Sequence, residues 1–171
     1  MELLTEPKLK YLSQQDLQFI FAFNDLMDQL GYDFGDNIGE GYCWGKHMLI
    51  YRKTGARSQR VFARLYLREG GSALRLYLND LDDHRLYLEK SPDHIKDVFT
   101  VSFGDCQHCH NEIDEDCRFR KTYTLNERVY EKCNGIVFEF INLTVEKLPD
   151  YQELFLEFYP NRRKAVLSHK T

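Results

Sequence analysis

The chain has 171 residues and a formal net charge of -4, with 23 Lys and Arg against 27 Asp and Glu. That balance excludes a chain built mainly to coat nucleic acid, although a local basic face stays open. Hydrophobic residues at 43% and charged residues at 29% are ordinary globular usage, which excludes wholesale disorder and leaves enough apolar surface for one core.

Residues 1–12 read as a lead-in, residues 13–160 as a single domain and residues 161–171, NRRKAVLSHKT, as a basic, frayed tail. The opening MELLTEPKLK has no basic stretch leading into an apolar one, and no apolar run reaches the roughly 18 to 20 residues that span a bilayer. A cytoplasmic protein without a membrane segment is the expectation. No internal repeat is apparent.

Ser13 followed three positions later by Asp16 approximates a capping box and predicts a helix start. Phe19, Ile20, Phe23, Leu26, Met27 and Leu30 recur at helical spacing, Leu17 and Phe21 widen the stripe, and Gly31 offers a left-handed stop. The next stretch, YDFGDNIGEGYCWG from Tyr32 to Gly45, carries four glycines that permit tight turns or a close approach of backbone or ligand. Its GxG spacing lacks the strand, helix and distal acid of a dinucleotide site, so it is a weak phosphate signal.

A β-meander is expected next: Lys46 to Arg52, Arg60 to Arg68 and Ala73 to Asn79, with turns near Gly55 and at Glu69-Gly70-Gly71-Ser72. Alternation puts Ala63, Leu65, Leu67, Leu74, Leu76 and Leu78 on a core face. The opposite face combines Arg60, Arg64, Arg68 and Arg75 with Phe62, Tyr66 and Tyr77. Such interleaving can stack bases or hold an anionic ligand, and it is equally what the wet side of an antiparallel sheet uses to stay soluble. Trp44, Arg64, Tyr66, Arg75 and Tyr77 are the candidate ligand-binding residues.

Leu81 to Lys90 is ambiguous, whereas Ser91-Pro92 predicts a short helix to about Phe99 with Ser91 as its cap. His84 and His94 fall on charged stretches and read as surface histidines. Ile136 to Phe140 alternates as a strand, and Thr144 with Pro149 opens a last helix bearing Tyr151, Leu154, Phe155 and Phe158 up to Pro160.

Four of the five cysteines fall between Cys106 and Cys133. An odd total concentrated at these intervals fits a metal site better than a disulfide framework. Zinc takes four tetrahedral ligands, and the C-x2-C pair Cys106 and Cys109 can fill two corners from one turn. Phe119 to Leu125 and Val129 to Lys132, separated by Asn126-Glu127, read as a hairpin that returns Cys133 to Cys117 at its open end. Residues 104–135 thus form a knuckle and hairpin, with Cys106, Cys109, Cys117 and Cys133 as ligands and His108 or His110 as alternatives. Arg118, Arg120, Lys121 and Lys132 are near enough in sequence to offset thiolate charge.

Four thiolates close the coordination sphere and leave no activated water, so the expected zinc is structural rather than catalytic. A C-x-x-C redox pair would open a helix in a βαβ setting, which this one does not. The run NEIDED at 111–116 makes the knuckle a poor reader of phosphate.

The order from the leading helix through YCWGK, a meander ending in LYLREGGSALRLYL and the SPDHIKDVF helix resembles small bacterial YdhG-like domains over residues 13–100. The resemblance implies a compact α+β domain with helices against an antiparallel sheet, and it brings no catalytic residues. The cysteine hairpin departs from that pattern and would be an addition to it.

The sequence therefore predicts an α+β fold: an antiparallel meander packed against an N-terminal and a C-terminal helix, with a zinc-knuckle hairpin attached. No catalytic motif is present. The expected role is a zinc-stabilised, non-enzymatic binding or adaptor module for a small ligand or a protein. A nucleic-acid-associated regulator using the Arg/Tyr face is the alternative.

Overall fold

The computed structural model describes residues 7–57, 59–102, 104–106, 117, 119–133 and 137–160. The basic tail at 161–171 lies outside them, as do His108, Cys109, His110 and Arg118. Pro7–Leu9 forms a 3-10 turn, and Leu9 and Leu12 are buried, so part of the expected lead-in is core.

Helix α1, Gln14–Leu30, begins and ends on its sequence signals. The Ser13 side chain accepts from the Asp16 backbone N–H, and Gly31 closes the helix with φ 83°. Phe19, Ile20, Phe23 and Met27 are fully buried, while Leu17, Phe21, Leu26 and Leu30 pack around them at the margin. One broad face thus enters the core, as the apolar spacing requires.

The main sheet is antiparallel with strands β1 (Tyr32–Asp33), β3 (His47–Lys53), β4 (Ala63–Leu67), β5 (Ala73–Tyr77) and β8 (Val137–Phe140) in that order. Strand β2, Gly39–Glu40, also pairs with β3, so the glycine-rich stretch runs as a broken edge strand. β8 joins beside β5 after the long excursion through the hairpin.

Leu49, Tyr51, Ala63, Leu65, Leu67, Leu74, Leu76, Phe138 and Phe140 form the inner face of the sheet, each nearly or fully buried. Against it lie α1, α3 (Asp93–Thr100) and α4 (Leu148–Phe158), which continues a 3-10 turn at Val145–Lys147. Aromatic rings tie these layers together: Phe23 meets Tyr51, Phe99 meets Phe138, and Tyr151 meets both Phe19 and Phe140. The protein is α+β.

Leu81 to Lys90 resolves into a 3-10 turn, Leu81–His84, and helix α2, Arg85–Lys90. Ser91 does not cap α3. Its hydroxyl donates back to the Tyr87 carbonyl, closing α2, while Pro92 takes the position before α3 and its carbonyl accepts from Ile95 and Lys96. A serine between two abutting helices can satisfy either end, and here the freed carbonyl of α2 wins.

β6 (Arg120–Leu125) and β7 (Arg128–Cys133) form the separate two-stranded hairpin. Asn126 and Glu127 turn it with φ of 48° and 63°, the left-handed pair that matches strand twist. Tyr123 anchors the hairpin to the body: its ring meets Phe138 and its hydroxyl donates to the Phe99 carbonyl. No helix among the described residues is long and apolar enough to cross a membrane.

Candidate functional site

The outer face of the sheet is built by the pleat. With leucines turned inward, Arg64 and Tyr66 of β4 and Arg75 and Tyr77 of β5 must point the other way. The register then sets Arg64 directly opposite Arg75, and Arg75 directly opposite Glu139 of β8. Two like charges facing each other across a ladder are unfavourable unless neighbours absorb them.

Glu139 absorbs part of this charge. Its Oε2 lies 2.7 Å from Arg75 Nε and its Oε1 lies 3.2 Å from Arg68 Nη2. Among the described residues Arg64 meets no carboxylate; its Nη1 donates to the Tyr66 hydroxyl at 3.4 Å. Aromatic faces do the rest. The Arg75 guanidinium sits 3.8 Å from the Trp44 ring centroid and 5.0 Å from that of Tyr66, and Arg64 sits 5.5 Å from that of Tyr77.

The structure thus brings Trp44, Arg64, Tyr66, Arg75 and Tyr77 into one patch. Donor capacity in it is left over. Among the described residues, Arg64 Nε, Arg68 Nε and Arg75 Nη2 are buried without a hydrogen-bond partner, as is Arg52 Nε. Burial pushes the Tyr77 hydroxyl pKa up, against the pull of Arg64, so Tyr77 stays a neutral ring.

Arg60 and Phe62 leave this face. β4 starts only at Ala63, and Phe62 turns inward to pack between Tyr32 and Tyr159, with Arg60 lying over Phe62 and Tyr159. Burying the ring beside α4 outweighs strict alternation at the strand entrance. Glu139 is the residue the sequence reading missed. It stands 64 positions from Arg75, and only the pairing of β8 with β5 brings it there.

Trp44 reaches Arg75 because of two glycines. The 3-10 turn Tyr42–Trp44 is pinched between Gly41 and Gly45. A Cβ on Gly41 would lie 2.3 Å from the Gly45 carbonyl oxygen, and one on Gly45 would lie 2.9 Å from that of Leu67. These glycines serve close packing of the protein's own backbone, not the cradling of a phosphate. The turn also holds Tyr42 at φ 52° with 75% of its surface exposed, while Trp44 is 43% exposed.

The second candidate lies on the hairpin. Asp105 bridges to Lys132 on the outer edge of β7, with the Cys106 N–H donating to Glu131 O and the Cys133 N–H to Gly104 O. In this register Asp105 shares the face of Lys132, while Cys106 shares the opposite face with Glu131 and Cys133. Arg120 pairs with Cys133, and its N–H donates to the Cys117 carbonyl. Cys106, Cys117 and Cys133 therefore gather at the open end of the hairpin, Cys133 exposed and the other two half-buried.

The donor set fits zinc in kind: soft thiolates on adjoining backbone segments. Cys109, His108 and His110, the other proposed ligands, lie outside the described residues. Among the described residues no group of three or more His, Cys, Asp or Glu is arranged to hold a metal ion. The Lys132 ammonium is buried on the other face of β7, bonded to the Val101 carbonyl and to Asp105.

The two histidines expected on the surface have carboxylate neighbours from α4. His84 Nδ1 lies 2.8 Å from Glu157 and its ring stacks near Phe158; His94 Nε2 lies 3.1 Å from Asp150. Helical spacing had hidden these pairs, since both partners come from an element far along the chain. No family model matches the chain, and neither does any curated protein or any solved structure.

Proposed function

We propose that the protein is a non-catalytic binding module whose outer sheet face receives an anionic ligand on Arg64 and Arg75, with a structural zinc ion holding the cysteine hairpin. Thiolates kept free to bind zinc suit a reducing compartment, which supports a cytoplasmic setting. Cys106, Cys109, Cys117 and Cys133 would be the ligands, with His108 or His110 as substitutes for a cysteine.

The observation that carries the binding role is the Arg64–Arg75 pair. Two guanidiniums stand opposite each other, and among the described residues one of them has no carboxylate and each keeps a buried donor unpartnered. Buried unsatisfied donors are costly, of order 1–3 kcal/mol each. An anion bridging the two would satisfy both and relieve the repulsion between them.

Both donors are covered by neighbouring side chains, so entry of an anion displaces the Trp44 ring from Arg75. Trp44 is the only tryptophan in the chain, and its fluorescence reports on this event alone. Titration of the zinc-loaded protein with inorganic phosphate and with citrate at low salt should give a saturable fluorescence change. Arg64→Gln should weaken it about tenfold, the loss of one charge-assisted hydrogen bond, with the circular dichroism unchanged. A flat titration at millimolar anion would remove the proposal.

A further inference from the structure

The same face indicates what else the ligand carries. On the reading that Arg64 and Arg75 take an anion, we infer that the anion is the phosphate of a mononucleotide, whose base stacks on Trp44. Displacing Trp44 from Arg75 costs the cation–π contact at 3.8 Å and exposes more of a large apolar ring. A bare anion leaves that ring in water. An anion joined to a planar ring gives Trp44 a new stacking partner and restores what was lost.

The rim is already furnished for this. Tyr42 and Trp44 stand two residues apart on one exposed turn, and Trp44 lies over Arg75 of the cationic patch. Tyr42 is held there in a left-handed conformation that a bulky residue rarely adopts, and such strain persists where surrounding structure imposes it. In this chain Gly41 and Gly45 impose it through their close backbone contacts.

Phosphate suits the pair better than a carboxylate does. Its oxygens can accept from two guanidiniums approaching from adjacent strands and its second charge matches the pair, whereas a carboxylate that holds two guanidiniums spends both oxygens and a single charge on them, as Glu139 does on Arg75 and Arg68. A free mononucleotide suits it better than a strand of nucleic acid. Of the three arginines in the patch, Arg68 and Arg75 already share Glu139, and the chain as a whole carries a net charge of -4, which weighs against a polyanion beyond the first phosphate.

Calorimetric titration of the full-length, zinc-loaded protein with AMP, ribose 5-phosphate and oligo-dT tests this. AMP should bind roughly tenfold more tightly than ribose 5-phosphate, the gain expected from one stacked base. Trp44→Leu should erase that advantage and, by uncovering Arg75, tighten ribose 5-phosphate binding, and Trp44→Phe should keep part of the advantage. Equal affinity for the two phosphates would overturn the mononucleotide assignment and leave the anion site standing. Oligo-dT binding more tightly than AMP would overturn it in favour of a single strand. Failure of all three, and of inorganic phosphate, to bind would overturn the anion site as well.

Discussion

Tyr51 stands on the inner face of β3 with its ring edge-on to Phe23 and Phe34 and its hydroxyl buried without a hydrogen-bond partner among the described residues. Burial pushes the hydroxyl's pKa far above its ordinary value, with Asp28 adding to the shift, so it stays protonated under all physiological conditions. The ring is worth its place; the oxygen is not. Tyr51→Phe keeps the packing and removes the unsatisfied group, and should stabilise the protein by about 1 kcal/mol. That corresponds to a melting temperature roughly 2–4 °C higher, measurable by calorimetry, for a chain of this length. A lower melting temperature would mean that the hydroxyl has a partner. The guanidinium donors of Arg64 and Arg75 that are unsatisfied among the described residues differ in place: they lie on the outer face of the sheet, away from the core.

At the scale of elements, α1 is fastened at its first turn by Asp16. This carboxylate accepts from the Ser13 hydroxyl and from the Ser72 backbone N–H at 2.8 Å, so the helix cap also pins the turn between β4 and β5. Burial raises its pKa, but the hydrogen bonds from Ser13 and Ser72 outweigh that and hold it below the ordinary carboxylate value. A depressed folded-state pKa stabilises above the unfolded value, near 3.9, and the contribution is lost as pH falls through the folded one. Asp16→Asn should therefore cost about 1 kcal/mol at pH 7. The gap between variant and parent should narrow below about pH 4, which denaturant melts across that range would reveal; a gap independent of pH would contradict the assignment.

The local signals at this scale were legible in the sequence. Ser13 and Gly31 bound α1, Asn126-Glu127 turns the hairpin, and alternation assigns the leucine and arginine faces, because each rests on residues a few positions apart. What the sequence did not disclose is set by long-range pairing. Glu139 reaches Arg75 only through β8, His84 and His94 meet acids of α4, and Phe62 turns inward for rings contributed by Tyr32 and Tyr159. Lys132 looks from its spacing like a counter-charge to the thiolates, and the bridge between Asp105 and β7 sends it to the other face.

For the whole molecule, the hairpin is the part least supported by the core. Tyr123, Leu125 and Lys132 are its buried residues, and Lys132 spends its charge on Asp105 and the Val101 carbonyl at the point where the chain approaches Cys106. Two segments distant in sequence, one ending at Cys106 and the other at Cys133, are thus laid side by side by a few contacts before any metal is considered. A zinc ion bound there would add on the order of 10 kcal/mol to holding them together. Metal analysis of protein purified without added zinc should then find about one zinc per chain, the stoichiometry of a single four-ligand site. Cys133→Ser should lose it, and hydrogen exchange should quicken at Cys106 and Cys133, whose amides bond to Glu131 and Gly104. Exchange within α1 and β3–β5 should change little, because the hairpin meets the core through Tyr123 and Leu125, with Tyr123 set against Phe99 and Phe138 rather than against those elements. Five free thiols, no metal and unchanged protection at those two amides would show that Lys132 and Asp105 hold the hairpin without it.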